Sequence, residues 1–222
     1  SLSFSLSFLF DGPLPICPGS YPTQDMVFED TKLLIESFLD GFNVCLFAYG
    51  QTGSGKTFTM TGSPALPGLT PRAIQEIFTL IPERKTAEIS ISTYFLELYN
   101  DNLVDLYFVL DQKEKKGAPE QPPRLDIKLD ARKMVHITNA VVKKVSGAAE
   151  LFDLFNLGNL ERHTGATKMN AESSRSHSVF AIMSESVDKA TGKTTFGKLS
   201  LVDLAGSERA DKTGATADRL KE

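Results

Sequence analysis

The strongest chemical signal in this chain is the run Gly50-Gln51-Thr52-Gly53-Ser54-Gly55-Lys56-Thr57. It matches the spacing G-x-x-x-x-G-K-[ST] of loops that cradle phosphate. Glycines, lacking Cβ, let successive backbone N–H groups curl around phosphate oxygens. Lys56 offers a point charge to the outer phosphates of a nucleoside triphosphate, and the Thr57 hydroxyl is a hard oxygen ligand for Mg²⁺. In a chain of average composition a chance match is on the order of one in a hundred. The bland alternative is a glycine-rich turn with no ligand. Context argues against it, because an apolar run over Val44 to Tyr49 precedes the loop and a helical pattern to about Met60 follows. Strand, loop and helix in that order are the arrangement that confirms the motif, and the helix start adds a positive dipole end.

A second constellation fits the first. Lys198-Leu199-Ser200-Leu201-Val202 reads as a strand with an acid at its end, Asp203, followed by Leu204-Ala205-Gly206. A carboxylate at the C-terminal end of a strand beside the loop strand can hold Mg²⁺ through water. Gly206 can offer its backbone N–H to a γ-phosphate. D-x-x-G alone is weak. Paired with the phosphate loop, it describes a sensor that moves when the terminal phosphate leaves. The Asn-Lys-x-Asp base reader of GTPases is absent from the sequence, which favours ATP.

The elements that must position these residues follow from periodicity. Ser1 to Phe10 alternates Ser with Leu or Phe and reads as a half-buried strand rather than a signal core, having no basic leader. The missing initiator Met reads as a segment of a longer chain. Asp11 to Pro22 is a Gly/Pro loop. Thr23 caps a helix that Gly41 stops, and Pro71 opens a helix to about Leu80. Strands are expected over Glu88 to Leu98, Leu125 to Lys128, Val141 to Val145, Ser178 to Val187 and Thr194 to Val202, with a helix over Ala148 to Leu157. Asp111 to Arg124 is charged and Pro-rich and is expected to be a mobile surface insertion. Strands alternating with helices and ending in a hairpin predict one α/β domain over residues 1–222, a mixed central sheet flanked by helices.

Composition sets limits. The chain has 222 residues, 41% hydrophobic and 23% charged, as expected of an ordinary globular domain. A net charge of -4 leaves no basic footprint, so nucleic acid is not expected as a partner. No apolar run reaches the length of a membrane span, and no membrane contact is expected. Cys17 and Cys45 lack metal-ligand spacing and suit a reducing, cytosolic setting, with Cys45 a small buried hydrophobe. His136, His163 and His177 show no helix-face metal spacing, and Tyr49 is read as packing rather than as a base-stacking ring.

Taken together, these stretches resemble the kinesin motor domain. Phe47-Ala48-Tyr49 joined to the Gly50–Thr57 loop is the kinesin form of the phosphate loop. Asn170-Ala171-Glu172-Ser173-Ser174-Arg175-Ser176-His177 is similar to the family's switch I, and Asp203-Leu204-Ala205-Gly206-Ser207-Glu208 to its switch II. Gly68 to Arg72 and Glu97 to Asn100 are also family-like, and the likeness runs from Phe8 through nearly the whole chain. Val27 through Met60 is most similar to the C-terminal-motor, minus-end-directed branch that includes the plant calmodulin-binding kinesins.

The resemblance implies a P-loop NTPase-like fold and an ATP-binding, ATP-hydrolysing core that couples turnover to movement on microtubules in the cytoplasm. Cofactors would be ATP and Mg²⁺, with Thr57, Ser174 and Asp203 around the metal. Ser174 would meet Mg²⁺ or the attacking water. Arg175 and Glu208 would form a salt bridge closing both switches, while Asn170 and Ser173 would position water and phosphate. His177 would support switch I. The family's opening strand, with its Arg-x-Arg-Pro adenine contact, has no counterpart upstream of Phe8, and the microtubule-binding helices expected after Ala210 to Glu222 lie beyond the chain. In the family the first and last strands lie between the second strand and the phosphate-loop strand, and their absence here predicts that the loop strand has an open edge and that Ser1 to Phe10 lacks a partner. Dimerisation would run through a coiled coil outside this segment. The other reading is a truncated or non-motile kinesin-like module with little ATPase activity.

Overall fold

The structure is a computed structural model that describes residues 3–9, 23–115, 120–130, 135–169 and 175–208; for 3–9 and 163–169 only the backbone is described. Its central sheet runs in the order β1 (Ser3–Leu9), β2 (Asn43–Tyr49), β9 (Thr194–Asp203), β8 (Ser176–Asp188), β3 (Ala87–Tyr99), β4 (Asn102–Asp105), and β7 (Lys143–Val145) also pairs with β3. The β1–β2 and β2–β9 pairs are parallel, whereas β9–β8, β8–β3, β3–β4 and β3–β7 are antiparallel. The sheet is therefore mixed, as expected. A separate hairpin joins β5 (Asp126–Leu129) to β6 (Val135–Thr138).

One face of the sheet carries the main core. On β2 the residues Val44, Leu46 and Ala48 are buried in alternation, as a period of two requires. They join Leu199 and Leu201 of β9, Phe180 and Ile182 of β8 and Phe95 of β3. Helices α1 (Gln24–Leu39), α3 (Leu69–Leu80) and α5 (Ala148–Met169) supply Ile35, Phe38, Ile74, Ile77, Leu151 and Phe155 to the same cluster. Phe95 stacks on Phe155 at 5.9 Å and meets Phe180 edge-on at 5.2 Å. The opposite face holds a smaller cluster of Tyr94, Leu96 and Ala181 with Ile137 of the β5–β6 hairpin. Among the described residues no helix is long and apolar enough to cross a membrane.

Local chemistry explains the boundaries. Thr23 caps α1 by accepting the Met26 N–H, and Gly41, at φ 98°, ends the turn. Pro71 is not the first residue of α3. The helix begins two residues earlier, after Gly68, and Pro71 falls within the first turn, where the missing N–H costs nothing.

Four expectations need correction. The loop strand β2 has no open edge, because Ser3–Leu9 pairs with it in parallel from Ser3↔Asn43 to Leu9↔Tyr49. An alternating apolar strand finds a partner wherever an edge offers free N–H and C=O groups. Asp111 to Glu114 belong to the helix α4 (Leu106–Glu114) rather than to a mobile insertion. Asp105 caps that helix by accepting the Tyr107 and Phe108 N–H groups, and Lys143 and Lys113 pair with Asp111 and Glu161 across it. Residues 116–119 lie outside the described residues. Helix α5 continues past Leu157 to Met169. It passes through Gly158 because a Cβ there would run into the Phe95 ring. Finally, β4 and β6 were not expected. The β3–β4 turn places both Asn100 (φ 47°) and Asp101 (φ 58°) in the left-handed region, the signature of a two-residue type I′ hairpin.

Candidate functional site

β2 delivers the loop and β9 delivers the acid, side by side. Their register runs to Ala48↔Asp203, so Asp203 comes level with the end of β2 just before Gly50. Gly53 and Gly55 hold φ values of 80° and 91°, which other residues adopt only under strain. The loop closes through Ser54 N–H to the Gln51 carbonyl at 3.1 Å and enters the short helix α2 (Lys56–Met60). One turn of helix has little summed dipole, so the loop amides, not the helix end, are the groups suited to an anion. The Lys56 ammonium folds back to donate to the Gln51 carbonyl at 2.9 Å. The buried Gln24 side chain bridges α1 to α2 by donating to the Phe58 carbonyl at 2.7 Å.

Thr57 and Asp203 meet. The Thr57 hydroxyl donates to Asp203 Oδ2 at 2.7 Å across 146 residues. Donating its proton there leaves the hydroxyl lone pairs for a cation. Among the described residues the second oxygen, Asp203 Oδ1, is buried and has no hydrogen-bond partner. A buried carboxylate oxygen with an open coordination position beside a hydroxyl is a hard-oxygen donor set, which suits Mg²⁺. Among the described residues there is no cluster of three His, Cys, Asp or Glu that could hold a metal.

Sequence reasoning missed Arg162. Its guanidinium, 3% exposed on α5, donates to Asp203 Oδ2 at 3.0 Å, to Ser178 Oγ at 3.1 Å and to the Ser176 carbonyl at 3.0 Å. Glu97 of β3 pairs with it at 3.6 Å. One planar fork thus fixes the carboxylate at the end of β9 and the start of β8 together. His177 sits beside this network. Its Nδ1 accepts the Ala205 N–H at 3.1 Å, so the ring is a structural tie into Asp203–Glu208, not only into its own segment. Burial, then the Arg162 charge, hold its pKa below the usual histidine value, against the pull of Asp203.

The segment after β9 is pinned to the loop. Leu204 N–H donates to the Ala48 carbonyl at 3.3 Å and Ser207 N–H to the Gly50 carbonyl at 3.1 Å, with Gly206 between them. Glu208 reaches Thr52, whose N–H donates to Oε2 at 2.9 Å while its hydroxyl donates to Oε1. These bonds hold the Glu208 carboxyl below its ordinary range, the Thr52 hydroxyl first. Gly50, Gln51, Thr52, Gly53, Ser54, Gly55, Lys56, Thr57, Asp203, Gly206 and Glu208 therefore gather at one end of the parallel strands β2 and β9. Arg175 opens the turn into β8. Asn170, Ser173 and Ser174 lie outside the described residues. Tyr49 is half-exposed beside the loop, and burial pushes the Cys45 thiol pKa up while Lys198 opposes it.

The kinesin motor domain family model matches residues 7–222. This chain belongs to the kinesin motor-domain family. It is 49% identical over 201 residues to the kinesin-like protein KIN-14I of Oryza sativa subsp. japonica, covering 90% of this chain and 16% of that protein. It is 46% identical to the kinesin-like protein KIN-14E of Arabidopsis thaliana, covering 90% and 15%. A solved kinesin chain described as the C-terminal motor and motor homology domain of Kar3Vik1, fused to a synthetic heterodimeric coiled coil, superposes with a TM-score of 0.73. Its identity is 37%, over 90% of this chain and 48% of that chain. The KIN-14 and Kar3 likeness agrees with the branch read from Val27 through Met60. The chain spans about one sixth of the curated kinesin relatives and about half of the solved kinesin chain.

Proposed function

We propose that the kinesin to which this chain belongs is a microtubule-stimulated ATPase that couples ATP hydrolysis to movement along microtubules. Its setting is the cytoplasmic cytoskeleton, and the complete protein dimerises through a coiled coil outside the chain. One observation carries the reading: Thr57 of the phosphate loop and Asp203 at the end of β9 share a hydrogen bond, beside a buried Asp203 oxygen that lacks a partner among the described residues.

Each residue has a task in this reading. The Gly50–Gly55 amides bind phosphate oxygens, and Lys56 leaves the Gln51 carbonyl to meet the outer phosphates. Thr57, Ser174 and, through water, Asp203 would hold Mg²⁺. That ion, when bound, neutralises phosphate charge and orients the triphosphate. Gly206 offers its N–H to the γ-phosphate. Arg175 and Glu208 pair to close the two switches, and Asn170, Ser173 and Ser174 orient the water. Phosphoryl transfer depends on such positioning more than on a strong base.

Steady-state turnover of the full-length kinesin, measured with and without polymerised tubulin, tests this. Microtubules are expected to raise ATP turnover, and Lys56→Ala is expected to weaken triphosphate binding by about tenfold or more, the loss of one charge-assisted contact. Turnover indifferent to microtubules, or equal ATP affinity in the variant, would count against the assignment.

A further inference from the structure

The Glu208 carboxylate occupies loop amide chemistry that a phosphate would use. Thr52 N–H is one of the amides of the Gly50–Thr57 cradle, and it donates to Glu208 Oε2 at 2.9 Å. The Thr52 hydroxyl takes the other oxygen, Oε1. A carboxylate is a hard, anionic, two-oxygen acceptor, so it satisfies the same donors as a phosphoryl group. The chain is shaped for this contact. Glu208 folds back over Gly206, where a Cβ would overlap both Glu208 carboxylate oxygens and the Thr52 hydroxyl. The Ser207 N–H bond to the Gly50 carbonyl, at 3.1 Å, holds the preceding residue in place, so Glu208 reaches Thr52 from a fixed anchor.

We propose that Thr52 and Glu208 form a latch across the phosphate loop, which the incoming nucleotide must open before its outer phosphates are fully bound. The inference rests on the nucleotide reading above and adds to it a second partner for Glu208. With both oxygens on Thr52, the carboxylate cannot also make a two-oxygen pair with Arg175. Phosphate and carboxylate compete for one amide and repel each other, so phosphate entry expels Glu208 from Thr52. The same event delivers the freed carboxylate to Arg175. Loading of the nucleotide and closure of the switches are then coupled through a single side chain with two exclusive partners. The depressed carboxyl pKa agrees with an anion held by donors.

The test is stopped-flow binding of a fluorescent ATP analogue to the full-length kinesin, its Thr52→Val variant, its Glu208→Gln variant and the double variant. Thr52→Val keeps the β-branch and removes the hydroxyl, while Glu208→Gln removes the charge. Each single change is expected to raise the association rate by about threefold to tenfold, the scale of one net hydrogen bond. The double variant is expected to match the faster single one, because both changes loosen the same Thr52–Glu208 contact. Unchanged rates in both single variants, with binding intact, would overturn the latch alone. Gains that multiply in the double variant would overturn it too. If Thr52→Val does not melt cooperatively, Glu208→Gln, whose side chain lies outside the core, decides the matter alone. A cooperatively melting wild-type protein that binds no analogue would overturn the nucleotide reading and the latch with it.

Discussion

Glu208→Ala in the full-length kinesin is expected to retain ATP binding and lose about 10²–10³-fold in turnover, the scale of losing one transition-state stabiliser. The reason is geometric. Glu208 sits on a segment tied at Leu204 and Ser207 to the carbonyls of Ala48 and Gly50, so its backbone is held against the phosphate loop. Its carboxylate is bonded to Thr52. Closing onto Arg175 would bring the two switches together over the terminal phosphate, and Ala cannot make that closure. Alanine also removes the Thr52 contact, which eases nucleotide entry. The loss should therefore fall on kcat, with KM for ATP unchanged or lower, a pattern that separates a closing group from a binding group. Wild-type turnover in the variant would remove the gate from the mechanism.

Arg162→Met is expected to cost the domain about 3–5 kcal/mol, the penalty for leaving a buried charge without its partner. Met matches the length of the stem and buries well, so the loss is electrostatic rather than a cavity effect. Among the described residues Asp203, 5% exposed, would keep only the Thr57 hydroxyl, and Glu97 would lose its pairing with Arg162. Pairing the change with Asp203→Asn should recover more than about 1 kcal/mol, since the two groups share one network. Denaturant midpoints of the four proteins measure this. A single-variant loss below about 1 kcal/mol would show that solvent already screens the pair.

The sequence made legible what is local. The Gly50–Thr57 loop, the strand before it and the acid closing β9 each lie within a few consecutive residues, and their spacing alone dictates their chemistry. The Thr23 cap and the Gly41 stop were legible for the same reason. Arg162 was not, because Ser176, Ser178 and Asp203, which accept from it, lie 14, 16 and 41 residues away and no motif marks a lysine- or arginine-bearing helix position as buried. The expected end of α5 at Leu157 falls short of Met169, and the missing Cβ of Gly158 serves the Phe95 ring, which only the packed structure shows. Helix α4 was lost in a charged stretch, although Asp105 followed by an apolar run was a usable capping signal. The pairing of β1 with β2 is not marked by either strand's local pattern, because it depends on the edge that β2 presents in the folded sheet. The Thr52–Glu208 contact joins two motifs 156 residues apart, and only the fold brings them together.

Equilibrium titration of the full-length kinesin with ATP, in Mg²⁺ and again in excess EDTA, bears most directly on the role given to Thr57 and Asp203. Tight binding that weakens markedly when the metal is chelated, and weakens again in Lys56→Ala, is the predicted result. A cooperatively folded protein that ignores Mg-ATP, or binds it equally well without the metal, would contradict the account.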